Sequence, residues 1–174
     1  MREWIPVSTS PKARLALAAV KEFGARPFDE VTVGGLAAAA KVTTGALYHH
    51  FDSKLGLYAF VREDVERRLL DRMEGAVAAA GDEADPSAAV RAALLVGFDF
   101  AVREGFLYIL GAPPPGAERD RLTEMLSAST AQASPVLGRV LAAAWRAALD
   151  AVAEGSEPKQ ARAALLAFEL RIQS

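Results

Sequence analysis

Apolar residues recur along most of this chain at helical spacing. Leu57, Val61, Val65, Leu69 and Met73 follow one another every four residues. That lays one apolar stripe along a helix predicted from Lys54 to about Ala80, with Asp52-Ser53 as its cap. Ser10-Pro11 reads as an N-cap followed by proline at the first helical position. Leu15, Leu17, Ala18, Ala19 and Phe23 then give an apolar face that ends near Arg26-Pro27. Residues 1–9 read as a tail. Thr32 caps a short helix through Ala39, Lys41-Val42 makes a turn, and Thr43 caps a third helix through His50.

Beyond residue 80 the pattern is interrupted by Gly81-Asp82-Glu83-Ala84-Asp85-Pro86. From about Ser87 to Arg103 the positions are apolar nearly all round, which predicts a helix at the centre of a bundle. A short helix is expected over 104–110. Three prolines in Ala112-Pro113-Pro114-Pro115-Gly116 require a loop. One long helix is expected over about 117–153, kinked at Pro135 and ended by Gly155-Ser156-Glu157-Pro158. A final helix over about 159–172 carries Ala163, Leu166, Phe168 and Leu170. Alanine, the strongest helix former, supplies 37 of the 174 residues, and β-branched runs of period two are missing. The expected fold is all-α, a three-helix helix-turn-helix domain over 1–52 followed by a helical bundle over 53–174.

Composition narrows the chemistry. Without cysteine there is no disulfide, thiolate metal site or cysteine nucleophile. The two histidines, His49 and His50, are adjacent and point about 100° apart on a helix, so they do not chelate one metal together. No glycine loop of the phosphate-cradling kind is present. No catalytic residue, metal site or cofactor is therefore expected, and catalysis is the disfavoured class. No apolar run reaches the ~18 residues of a membrane span, and MREWIPVSTS lacks a signal-peptide core. The expected location is cytoplasmic. The net charge of −2 averages two unlike parts, with 7 Lys/Arg against 5 Asp/Glu through residue 60 and 13 against 17 after it. The sign of that asymmetry puts a polyanion partner at the N-terminal end.

The informative stretch is TVGGLAAAAKVTTGALYHHFDSK, residues 32–54. Small residues, Gly34, Gly35, Ala37 and Ala40, stand where two short helices cross closely, the pattern of a helix-turn-helix. The second of these helices offers the hydroxyls of Thr43 and Thr44, close approach at Gly45, and outward Tyr48 and His49. Its N-terminus adds free N–H groups and a partial positive charge suited to phosphate. Lys54 at a helix start is disfavoured by the dipole, which a nearby phosphate would explain. Arg2 and Trp4 read as part of the tail rather than as a minor-groove arm.

On these residues, 11–60 resemble the tetracycline-repressor-like (TetR) family of bacterial transcription regulators. Ala18, Ala19 and Phe23 match its first helix, Phe28 and Thr32-Val33 follow, and TTGALYHHF with SK matches its recognition helix. The resemblance implies a DNA-binding regulator: a homodimer, most simply a ligand-responsive repressor of a palindromic operator, whose bundle dimerises and takes a small-molecule effector. It implies that Thr32, Thr43, Tyr48 and Lys54 hold the DNA backbone. Thr44, Gly45 and His49 would sit against or beside base edges, and Ala46 against a thymine methyl. Leu36, Leu47 and Phe51 match core positions, and His50 packs near the fourth helix. The chain departs from the pattern at Lys41, where the family has glycine; a non-glycine residue in a left-handed turn costs ~1 kcal/mol, so either a phosphate contact by Lys41 offsets that or the turn is built differently. Pro27 replaces another glycine. The family commonly has one helix more after the last helix expected here, which leaves open dimerisation through the helices present or a truncated chain.

For the effector, Phe98, Phe100, Phe106, Tyr108 and Trp145 are the candidate lining, with core packing as the plain alternative. Asp99 lies between two phenylalanines in an apolar helix, where an unpaired charge is costly. It either pairs with an arginine such as Arg103, one turn on, or meets a polar or cationic effector. The competing function is a helical ligand- or protein-binding dimer that has lost DNA binding.

Overall fold

The computed structural model describes residues 9–81, 85–114, 119–131 and 133–167. Helices α1 (Pro11–Ala25), α2 (Val33–Ala39), α3 (Thr44–Phe51), α4 (Lys54–Ala80), α5 (Pro86–Glu104), α6 (Leu107–Gly111), α7 (Arg121–Thr130), α8 (Leu137–Ala153) and α9 (Pro158–Leu166) follow in order, with a 3-10 turn at Phe28–Glu30. The fold is all-α. Among the described residues no helix is long and apolar enough to cross a membrane. Arg2, Trp4, Phe168 and Leu170 lie outside the described residues.

Local capping chemistry starts the N-terminal helices where the sequence places them. The hydroxyls of Ser10, Thr32, Thr43 and Ser53 each accept from the backbone N–H three residues on, satisfying one of the otherwise unpaired donors. Asp85 caps α5 in the same sense through Ser87. Asp52, expected to share the cap of α4, instead ends α3 at φ 62°.

The expected single helix over 117–153 is two helices. It stops at Thr130 and restarts at Leu137. Pro135 lacks an N–H and disfavours helical geometry at Ser134, and the chain turns back there instead of kinking. At Gly138 a Cβ would overlap the Ser127 backbone, so α8 packs tightly against α7. The α5 helix, expected to be buried all round, buries Phe98, Phe100 and Ala101 but leaves Val96 and Asp99 exposed.

One apolar core runs from Leu15, Phe23 and Leu47 through Val61 and Leu69 to Phe98, Trp145 and Leu165. The long α4 packs on α1 at one end and along α5 further on. Phe23, Phe28 and Tyr58 close the first junction, their ring centroids 5.0–5.7 Å apart. At a second junction Arg62, 2% exposed, ties α4 to the end of α6. Its guanidinium donates to Glu66, to the Tyr58 hydroxyl, and to the carbonyls of Ile109 and Ala112 at 2.7–2.9 Å. A buried guanidinium with four partners is well satisfied; removing any one leaves a charged donor without an acceptor.

Candidate nucleic-acid interface

The α2–turn–α3 unit presents one side of α3 to solvent. Leu47 and Phe51 are buried against α1 and α4, while Thr43, Thr44, Gly45, Tyr48 and His49 are exposed and Ala46 is half-buried. Thr44 and Tyr48 are four residues apart, as are Gly45 and His49, so two adjacent rows face outward. Tyr48 is 52% exposed, a large aromatic ring left facing solvent. The structure thus brings together all the α3 residues singled out in the sequence.

Two of the threonines carry a local task as well. Thr32 accepts from Gly35 N–H at 3.0 Å and Thr43 from Ala46 N–H at 3.3 Å. Each hydroxyl proton stays available to an outside acceptor. Lys41 is exposed and holds φ 54° in the turn between the two helices, so the turn keeps left-handed geometry there rather than being built differently.

Lys54 has a different setting from the one expected. Its ammonium donates to the carbonyls of Phe28 and Val31 at 3.0 and 2.9 Å and sits 4.1 Å from the Phe28 ring centroid. The cation at a helix start is therefore accounted for within the chain, because carbonyls and a ring face outweigh the weak dipole effect. One of its three N–H groups is left for a further acceptor. Lys12, which the sequence did not single out, brings another cation beside α3, 5.7 Å from the Phe51 ring. No local signal marks it; only the packing of α1 on α3 does. The His49 and His50 rings touch edge-on at 4.9 Å, and among the described residues no group of His, Asp and Glu is arranged to hold a metal.

The aromatic set of the bundle is packed. Phe98, Phe100, Phe106 and Trp145 are buried. Trp145 Nε1 donates to the Leu94 carbonyl at 3.0 Å, and Phe106 meets Phe100 edge-on. Tyr108, half-buried, reaches the Ala153 carbonyl at 3.5 Å. Asp99 does not pair with Arg103. It takes a forked contact from Arg162 of α9 at 2.9–3.2 Å on an exposed face, while Arg103 turns to Glu104. The reason is geometric: Asp99 faces α9, so the arginine of the neighbouring helix is in reach.

Residues 16–60 match the sequence profile of the bacterial regulatory proteins, tetR family. Among solved structures, that of native NalD, the secondary repressor of the MexAB-OprM multidrug efflux pump in Pseudomonas aeruginosa, is similar over 90% of this chain and 92% of its own, with 18% identical residues and a TM-score of 0.34. No curated protein matches the chain. The profile match runs from within α1 to the first turns of α4 and includes the whole exposed face of α3; on that agreement residues 16–60 are a DNA-binding domain of the tetR type, the reading head of a DNA-binding transcription regulator.

Proposed function

We propose that the chain acts as a homodimeric, ligand-responsive repressor of a palindromic operator, and not as an enzyme. In this reading residues 1–52 bind DNA and residues 53–174 dimerise and sense the effector. The observation that carries it is the outward face of α3, with polar and aromatic groups exposed at helical spacing over a buried Leu47 and Phe51. Thr32, Thr43, Tyr48, Lys41 and the remaining N–H of Lys54 hold phosphates. Thr44, Gly45, Ala46 and His49 meet base edges in the major groove.

A dimer has a supporting surface. Val136 and Val140 are 55% and 51% exposed, Ala143 and Ala147 continue the same row along α8, and Leu166 of α9 is 43% exposed. Apolar residues repeated on one face without a cover mark an interaction site. In a two-fold dimer the two α3 helices enter successive major grooves when ~34–36 Å apart. An effector that binds better to a bundle with another spacing lowers operator affinity by its differential affinity. For an effector to meet Phe98, Phe100 or Trp145, the packed core at these residues has to part.

The test is fluorescence anisotropy on a labelled operator duplex over a series of salt concentrations. Affinity is expected to fall steeply, by about 0.9 log units per log unit of salt for each phosphate held. The second reading, a ligand- or protein-binding helical dimer without DNA binding, is favoured by the internal engagement of Lys54; a flat salt response would support it.

A further inference from the structure

A groove of about 400 Å³ opens between α1, α4 and the corner joining α5 to α6. That volume is in the ~300–1,000 Å³ range of small-molecule sites. Leu17, Val20 and Phe106 give it apolar walls, and Lys21, Arg68 and Glu104 bring charge. Leu17 is 51% exposed, a large apolar side chain left facing water. Phe106 is the one member of the aromatic set described above that lines it.

The charges are not balanced. Lys21 has no hydrogen bond or ion pair among the described residues. The Arg68 guanidinium stands 5.8 Å from the ring centroids of both Phe100 and Phe106, and its N–H groups have no hydrogen-bond acceptor among the described residues. A guanidinium held by ring faces keeps its planar fork of donors for a carboxylate. Of the nearby carboxylates, Glu104 pairs with Arg103 and Asp64 with Arg67; Arg68 acts on Asp64 through its charge without a hydrogen bond to it. The walls are also firm. Gly24 is buried, and a Cβ there would overlap the Gly105 carbonyl, so α1 and the α5–α6 corner meet backbone to backbone beside the groove.

We propose that this groove binds an amphipathic anion, a medium-chain alkyl carboxylate. Its chain lies along Leu17, Val20 and Phe106, and its carboxylate sits between Lys21 and Arg68. The apolar walls favour an alkyl tail, and two cations without acceptors favour a negative head. The site is separate from the α3 face and from the core around Trp145, so it does not depend on DNA reading.

Isothermal titration of the full chain, without DNA, tests this with decanoate kept below its micelle concentration. Decyltrimethylammonium carries the same chain with the opposite charge, and acetate carries the head without the chain. Saturable decanoate binding at one site per chain is expected, with no binding of either control. Leu17→Glu and Lys21→Glu, both at exposed positions and so compatible with folding, are each expected to weaken decanoate about tenfold at an unchanged melting temperature. No saturable binding of decanoate would overturn the proposal. So would equal binding of the cationic analogue, or a decanoate affinity that neither substitution alters.

Discussion

Lys54 shows how one side chain can join two segments. It reaches back 26 and 23 residues to the carbonyls of Phe28 and Val31, and no local pattern reveals partners so distant. Lys54→Met is expected to lower unfolding free energy by ~1–3 kcal/mol, because two partly buried carbonyls lose a charged donor. Chemical denaturation checks this; an unchanged midpoint would mean that water replaces the ammonium. Asp99 repeats the lesson: an arginine partner was legible, but which one was not, since Arg162 is 63 residues away and the local candidate was Arg103, one turn on. Asp120 carries a pH dependence. Burial raises its pKa, but hydrogen bonds from Arg146 and Thr123 outweigh that and hold it at about 2, below the ordinary 3.8. A carboxyl lowered on folding stabilises above its unfolded value, and that stability is lost as pH falls from about 3.8 toward 2. Asp64 and Asp150 act in the opposite sense, burial raising both. The Asp120 part is therefore read by difference: Asp120→Asn is expected to give a shallower loss of stability than the parent chain over that acid range in urea titrations.

At the scale of elements, the side-chain-capped starts of the N-terminal helices were legible and the fold-back into α8 was not. A cap is decided by residues three apart, so Ser10, Thr32, Thr43 and Ser53 disclose their helices directly. The break at 131–136 depends on α8 returning against Ser127, a tertiary fact that Pro135 alone does not decide. The outward strip of α3 was legible because Leu47 and Phe51 mark its buried side; the groove beside Arg68 was not, because α1, α4 and the α5–α6 corner build it together. The α3–α4 corner is a second place of tight approach. A Cβ at Gly56 would overlap the Phe51 carbonyl, whereas Gly75, further along the same helix, has open space around it. Gly56→Ala is expected to destabilise by more than ~2 kcal/mol and Gly75→Ala to stabilise by ~0.5–1 kcal/mol. Thermal melts of the two variants read this directly, and similar shifts for both would contradict a close-packed corner.

For the whole molecule, the proposed repressor function asks the same chain to hold a reading head at a fixed place and to pair with a second copy. The continuous core from Leu15 to Leu165 and the buried Arg62 junction provide the first. The uncovered α8 row provides a surface for the second. Val140→Glu, which puts a charge in the middle of that row, is expected to yield monomers by sedimentation analysis and to weaken operator binding at least tenfold, while the fold stays intact; a dimer unaffected by it would move the interface elsewhere.

The central claim is that the exposed face of α3 reads duplex DNA, and selection of bound duplexes from a random-sequence pool tests it most directly. The account predicts enrichment of a two-fold symmetric motif with half-sites about 10 base pairs apart, or a multiple of that, and an altered motif when Thr44 or His49 is replaced. A pool that emerges with no enriched sequence would contradict it.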